Sequence, residues 1–367
     1  MIPPFGSSQP DLTGQKGLAA DGAGVAREVF GEEFIGAPGF LNSATYGLPS
    51  RRQRESLQTS LMSWEKGELD ILQFDTSVVN ARVAFAQLAG VPSECVTMGG
   101  SVSSLLGLFA AALPDGARVA TVTGEFTSVS APFAAQARRG ITVTVLAPQE
   151  LEERAGEFDV VAVSLIQSAD GRLLDTARLQ ASTRDKNTRV AIDVTQAMGW
   201  MKLNVAWADL VVGASYKWLL SPRGAAWMSI SPDLAADLIP HFASWYSSET
   251  PWSNTYQFPP LLAEDARRFD ISPSWFTLLG AGIAMPWLAS LDMASVQKHC
   301  VQLANHVREA VGQPVADSAI LALDIPGATA RLEAAGIRAA VRAGRIRVSF
   351  HIYNTTDDAE ALVDALR

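Results

Sequence analysis

Cysteine is scarce: Cys95 and Cys300 are the only two among 367 residues. Two thiols are too few for a disulfide framework, and neither lies in a CxxC pair or a Cys/His cluster, so no zinc site is expected. Both read as ordinary buried thiols. Long apolar runs are also missing, and nothing approaches the roughly 20 residues that a membrane helix requires. The opening Met1-Ile-Pro-Pro-Phe-Gly-Ser-Ser lacks the basic start and continuous apolar core of a secretory signal, so the expected location is the cytoplasm. Positive charge is in deficit, with 29 Lys and Arg against 38 Asp and Glu and a formal charge of −9. A chain with that balance and no basic stripe repels a polyanion on average, and nucleic acid is not an expected partner. No internal repeat or long low-complexity tract stands out.

What remains is a long chain with 48% hydrophobic residues, enough for a large core and more readily two domains than one. The opening residues are rich in Gly, Ser and Pro, and Val78 to Leu88 has apolar residues at helical spacing, stopped by Gly90 and Pro92. Short β-rich runs then follow: 118–123, 141–146, 159–166, 189–193, 208–212 and 225–230, several separated by helix-like segments. That alternation predicts an α/β fold around a mostly parallel sheet. From Trp245 to Phe276 the sequence is rich in Trp, Tyr, Phe and Pro, and a long helical stretch then leads into a smaller α+β region. The expected division is an N-terminal segment 1–40 packing with the small domain, a large domain 41–275 and a small C-terminal domain 276–367.

The most informative residue is Lys217, in Asp209-Leu-Val-Val-Gly-Ala-Ser-Tyr-Lys217. It follows an apolar strand and so emerges at a strand's carboxyl end, where open α/β sheets bind ligands. Asp193 closes the preceding strand, Arg189-Val-Ala-Ile-Asp193. A lysine for Schiff-base chemistry and a carboxylate for a pyridinium nitrogen are the two groups a pyridoxal phosphate (PLP) site requires. Taken singly, Lys217 also reads as a surface lysine and Asp193 as a turn cap; their pairing with the motifs that follow favours the PLP site.

Thr97-Met-Gly-Gly-Ser-Val-Ser-Ser feeds glycines and serines directly into an apolar-periodic helix, whose free backbone N–H groups suit an anion such as a phosphate. The same pattern serves as a plain helix cap. Phe126, just past a strand end, is placed to lie flat on a ring or to pack the core. Near the other end, Gly344-Arg-Ile-Arg-Val-Ser-Phe alternates like a strand and puts Arg345, Arg347 and Ser349 on one face. A planar guanidinium bonds a carboxylate through two parallel hydrogen bonds, which makes Arg347 the candidate clamp for an α-carboxylate. A solvated edge strand is the reading for Arg345. The aromatic residues 245–276 suit either a pocket for a bulky or cationic side chain or packing at a junction.

Together these residues resemble the aminotransferase class V group of fold type I PLP enzymes, in the branch of group II cysteine desulfurases, kynureninase, isopenicillin N epimerase and hercynylcysteine sulfoxide lyase. The resemblance covers nearly the whole chain and implies a mostly parallel seven-stranded sheet with a smaller C-terminal α+β domain. Leu41-Asn-Ser-Ala-Thr-Tyr-Gly47 is similar to the family's opening loop, which implies Asn42, Ser43 and Ala44 near the substrate. Gly100-Ser101-Val102 matches the phosphate loop, and Phe126 falls at the ring-stacking position. Asp193-Val-Thr-Gln196 matches the Asp-x-x-Gln motif, implying Asp193 on the pyridine nitrogen and Gln196 on the phenolic oxygen. Ser215-Tyr216-Lys217 implies Tyr216 and Ser215 on phosphate and Lys217 bound to the cofactor. Ser168 stands in a loose match at a strand end. Arg268-Phe-Asp-Ile-Ser272-Pro implies that Ser272 reaches a partner subunit's phosphate, hence a homodimer with active sites at its interface. Arg347-Val-Ser-x-x-x-Tyr353-Asn354 matches the carboxylate-binding signature.

Two departures bear on the reaction. No cysteine lies in Ala335 to Arg345, where group II desulfurases carry their nucleophile, so persulfide chemistry is disfavoured. Phe126 stands where many relatives have histidine, leaving Lys217 as the main proton carrier. The resemblance thus implies an enzyme that takes an L-amino acid through an external aldimine, with β-elimination from a cysteine-like substrate expected first. Amino-group transfer and then epimerisation are the alternatives. A PLP-binding regulator without turnover is disfavoured, because the residues ahead of the first strand leave no room for a helix-turn-helix.

Overall fold

The computed structural model describes residues 26–367. Most of the segment expected to pack on the small domain, residues 1–25, lies outside the described residues. Its described part opens with a hairpin of β1 (Arg27–Val29) and β2 (Glu32–Phe34). Arg27 pairs with Asp358 of the C-terminal helix Thr356–Leu366, and the Gly39 amide donates to the same carboxylate at 3.0 Å.

Seven strands form the main sheet: β3 (Val96–Gly99), β4 (Arg118–Val122), β5 (Thr142–Leu146), β6 (Val160–Ser164), β7 (Arg189–Asp193), β8 (Leu210–Ala214) and β9 (Ala226–Ile230). Their order is β3-β9-β8-β7-β6-β4-β5, and only β9 runs antiparallel to its neighbours. Six of the seven coincide with the β-rich runs of the sequence. The missing one, β3, has four residues and opens straight into the glycine turn, too short for an alternation to register.

Helices cover both faces, so the central strands are buried throughout. Val161, Val163, Ile192, Val211 and Trp227 point to one side, against helices Gln73–Ala89 and Trp275–Ala289; Ala162, Ala191, Leu210 and Val212 point to the other, against Val102–Ala112. Helix Gln73–Ala89 stops at Gly90, whose left-handed φ of 74° closes it where the sequence placed the stop. A buried ion pair, Arg82 with Asp270, then ties this helix to β3: Asp270 Oδ1 also accepts from the Met98 amide at 2.8 Å and the Thr97 hydroxyl at 3.0 Å.

The second sheet is antiparallel, ordered β10 (Ile320–Leu323), β12 (Arg345–Ser349), β11 (Ala340–Arg342). The strand carrying Arg345 and Arg347 is therefore the central one, not an edge. The 41–47 loop runs beside it through a bridge from Asn42 to Ser349. The change of texture near residue 276 does not coincide with a change of core. Helix Trp275–Ala289 buries Leu278, Met285 and Leu288 with Phe85 and Trp227. The core changes over inside helix Met293–Ala310, where Val296 and Cys300 belong to the large cluster and Leu303 and Val307 pack with β10 and β12. Among the described residues, no single helix is long and apolar enough to cross a membrane.

Candidate active site

The carboxyl ends of β6, β7 and β8 open onto one cleft, as the switch-point rule for open α/β sheets anticipates. Gly100, Ser101, Val102, Phe126, Ser168, Asp193, Gln196, Tyr216 and Lys217 line it. These stretches lie far apart in sequence, and the sheet order brings their ends together.

Lys217 stands three residues beyond β8 and is only 6% exposed. Two contacts fix its turn: the Ser215 hydroxyl donates to the Ala225 carbonyl at 2.9 Å, and the Gly47 amide donates to the Tyr216 carbonyl at 2.9 Å. Only glycine fits at 47, because a Cβ there would stand 2.1 Å from the Lys217 carbonyl oxygen. The Nζ lies 5.3 Å from the centroid of Phe126, a ring that is 44% exposed at the N-cap of helix Thr127–Ala134. Burial pulls the ammonium pKa down to about 8; Arg347, Arg342 and Arg223 push the same way, and Asp193 opposes them.

Asp193 ends β7 fully inside the protein, and its Oδ1 accepts the Thr195 amide at 2.7 Å. Burial raises its pKa to about 6 against the Thr195 hydrogen bonds, with the charge of nearby Glu125 adding to the rise. Glu125 takes four donors: the Ser164 amide at 2.8 Å and its hydroxyl at 2.5 Å, the Gln167 side chain at 3.0 Å and the Phe126 amide at 2.7 Å. It thereby braces the end of β6 and the backbone of Phe126 at once. Gln196 has its amide groups engaged within the chain: Nε2 donates to the Ala44 carbonyl and the Ser168 hydroxyl, both at 3.1 Å, and Oε1 accepts the Trp218 indole at 2.8 Å. Bonding a bound group requires Gln196 to exchange one of these.

Arg347, 1% exposed, lies behind the cleft residue Ser168. Its guanidinium donates to the Ser168 hydroxyl at 3.0 Å, the Ser168 carbonyl at 2.5 Å and the Thr45 hydroxyl at 2.7 Å, while its buried Nε has no partner. Burial and neighbouring Arg342 lower its pKa to about 10, so it stays cationic at neutral pH. Ser168 thus links Gln196 to Arg347. Arg345, by contrast, reaches outward to Asp170 at 3.6 Å.

Several expected residues fall elsewhere. Ser215 is fully buried against Ala225 and Ser221, so its hydroxyl does not face the cleft, whereas its neighbour Tyr216 lines it. Asn42, Ser43 and Ala44 do not line the cleft: Ser43 bonds Tyr353 at 2.5 Å, while the Ala44 carbonyl accepts from Gln196 and the Thr45 hydroxyl from Arg347. Ser272 is exposed, accepts the Trp245 indole at 3.2 Å and stays outside its own chain's cleft. None of the aromatic residues 245–276 lines this cleft. Trp275 stacks on Phe74 with centroids 5.6 Å apart, and Tyr256 is 98% exposed. Thr195, Glu125, Ser164 and Thr45 escaped the sequence reading. Glu125 had a legible signal, an acid just past a strand end and next to Phe126.

The aminotransferase class-V profile matches residues 71–318 of the chain. The chain belongs to this family of PLP-dependent enzymes. An uncharacterized aminotransferase of Bacillus subtilis, YcbU, is 25% identical over 309 residues, spanning 78% of this chain and 82% of its own. The isopenicillin N epimerase of Streptomyces clavuligerus is 24% identical over 336 residues, 78% and 83% of the two chains. Among solved structures, the Escherichia coli cysteine desulfurase CsdA superposes with a TM-score of 0.76 at 20% identity, over 90% of this chain and 94% of the other. The cystine C–S lyase C-DES does so at 0.76 and 18%, over 90% and 98%. These structures share fold type I with the class-V enzyme described here.

The residues present fit PLP. The start of helix Val102–Ala112, capped by Ser101, offers backbone amides to a phosphate. Asp193 is a buried carboxyl that a protonated ring nitrogen would turn into an ion pair, and Lys217 stands beside it with a depressed pKa.

Proposed function

We propose that this enzyme is a carbon–sulfur lyase that eliminates the β-substituent of a cysteine-like L-amino acid. The observation that carries the reading is the cleft's composition: Lys217 is its one basic amine, and among the described residues neither a histidine nor a cysteine lines it. Cys300 is buried in its helix, and Cys95 is half-buried just ahead of β3. With no thiol at hand, transfer of sulfur to the protein is disfavoured. With no second base, epimerisation using a group on each face is disfavoured too.

PLP bound here supplies an electron sink for the pair released from the Cα–H bond. Gly100, Ser101, Val102 and Tyr216 would hold its phosphate, Asp193 its ring nitrogen and Phe126 its ring face. Arg347 holds the substrate α-carboxylate through its planar fork. Lys217, with a pKa near 8, has an appreciable neutral fraction at neutral pH and takes the α-proton as general base. As the Cβ–S bond breaks, the electron pair leaves on sulfur, and the Lys217 ammonium returns the proton to it. The released 2-aminoacrylate takes up water to give pyruvate and ammonia. His351 takes no part: its Nδ1 accepts the Ile352 amide at 2.7 Å, so Nε2 carries the proton and donates to the Trp218 carbonyl at 2.9 Å, and burial lowers its pKa to about 3.

The working assembly in this proposal is a homodimer. It is supported by Ser272 lying outside its own cleft and by the exposure of Tyr256 and Phe258. Light scattering tests it.

The reaction is tested by incubating holoenzyme with a panel of S-substituted cysteines. Pyruvate, ammonia and thiol in equal amounts with the cofactor spectrum restored support elimination. Accumulation of pyridoxamine phosphate would replace it with amino-group transfer, the reading that the likeness to YcbU favours.

A further inference from the structure

Arg347 is one of three arginines gathered at this site. Arg342, on the turn end of β11, points its guanidinium to the same Thr45 hydroxyl at 3.4 Å that Arg347 takes at 2.7 Å. Arg223 follows the Lys217 turn, lines the cleft and lays its guanidinium over the Tyr216 ring, 5.0 Å from the centroid. It also borders a neighbouring hollow that contains Thr45, Tyr46, Gly47 and Tyr216, so Thr45 links Arg223, through that hollow, to the Arg342–Arg347 pair on its hydroxyl. All three also push the pKa of Lys217 down.

None of the three forms an ion pair among the described residues. Several exposed arginines elsewhere do, as Arg51 does with Glu33, Arg118 with Asp159 and Arg178 with Glu153, while Arg138, Arg172, Arg184 and Arg338 do not; what sets this group apart is that its members lie close together. In a chain with nine more acids than bases, three cations converging without a carboxylate repel one another, and a bound anion relieves that repulsion. One substrate α-carboxylate satisfies Arg347. Two guanidiniums are left over.

We propose that Arg223 and Arg342 form a second anion subsite at the mouth of the cleft, and that the substrate is an L-amino acid whose side chain ends in a carboxylate. The subsite rests on the assignment of the α-carboxylate to Arg347. A carboxylate is the ligand because two exposed planar forks match its two oxygens and can close on it from either side.

The test titrates holoenzyme by calorimetry with glutarate and with butyrate, which differ by one carboxylate. Glutarate is expected to bind about tenfold tighter or more, the scale of one charge-assisted contact. The double variant Arg223→Ala/Arg342→Ala is expected to bring glutarate to the level of butyrate while leaving PLP affinity unchanged; both residues are exposed, and the cofactor's absorbance reports an intact fold. Equal binding of the two acids by wild type would overturn the subsite, as would a glutarate preference that survives in the double variant. A loss of PLP affinity in Arg223→Ala alone would overturn it too, because it would put Arg223 on the cofactor's phosphate. Arg347→Ala separates the two assignments. Loss of both acids supports Arg347 and the subsite together. Unchanged butyrate binding, with a glutarate preference still dependent on Arg223 and Arg342, would keep the subsite and remove Arg347 from the α-carboxylate.

Discussion

At the floor of the cleft, Asp193 and Lys217 follow adjacent strands, are buried, and sit in turns fixed by backbone hydrogen bonds to Thr195, Ala225 and Gly47. At the mouth, Arg223 in a loop and Arg342 at the end of β11 are exposed, and their neighbours are a tyrosine ring and a threonine hydroxyl. Burial is what perturbs the floor groups, raising the pKa of one and lowering that of the other; solvent screens the rim. The floor therefore sets what chemistry is possible, and a change there costs both fold and reaction. The mouth is inexpensive to vary, and in the proposal it sets which side chain enters. Arg347 is buried like the floor, and in the proposed reaction it meets the substrate as the mouth does.

The comparison breaks first at Lys217. Lys217→Ala should lower kcat by about 10⁴-fold or more, since the one base is gone, and should abolish the absorbance band of the lysine-linked cofactor. A coloured variant with ordinary turnover would move the chemistry off this residue. Asp193→Ala should cost about 10²- to 10³-fold in kcat with a much smaller loss of PLP affinity, because the phosphate contacts remain; equal turnover would remove Asp193 from the ring nitrogen. Arg347→Lys keeps the charge and loses the fork, so kcat/KM should fall by about 2 kcal/mol with a raised KM and an unchanged cofactor spectrum. Wild-type kinetics there, with impaired Arg342→Ala or Arg223→Ala, would hand the α-carboxylate to the rim.

The smallest effect is on pH. Apoenzyme should form its lysine-linked absorbance band faster as pH rises through about 8, where the Lys217 amine loses its proton. Removing a nearby cation by Arg347→Met should raise that inflection, and removing a nearby anion by Asp193→Asn should lower it, each by roughly half a unit to one unit. Shifts in the same direction would mean that packing, not charge, sets the lysine's pKa.

Much of the floor was legible in the sequence. Lys217 and Asp193 announce themselves because each follows an apolar strand, and strand ends are where a parallel sheet exposes its ligands. Gly100-Ser101-Val102 was readable as a glycine turn entering an apolar helix. Ser215 misled because a serine beside Tyr216 and Lys217 looks available to a phosphate, whereas the turn directs its hydroxyl back to Ala225. The aromatic run stayed open between a pocket and a junction, because composition shows that these side chains need cover or a partner without showing where they turn. Thr45 and Thr195 carried no signal, since a threonine's role depends on which donor lies opposite it.

The sequence by itself determined the α/β alternation, six strands of the large sheet, the stop of the helix at Gly90 and the strand ends that carry Asp193 and Lys217, all consequences of local periodicity and turn chemistry. Only the tertiary structure decided that Arg347 lies on a central strand and faces inward while Arg345 faces Asp170. It alone joined Ser168 to Gln196 and Arg347, and gathered Arg223 and Arg342 around Thr45. Such contacts span more than a hundred residues and follow from strand order and the packing of one sheet beside another, which no local pattern encodes.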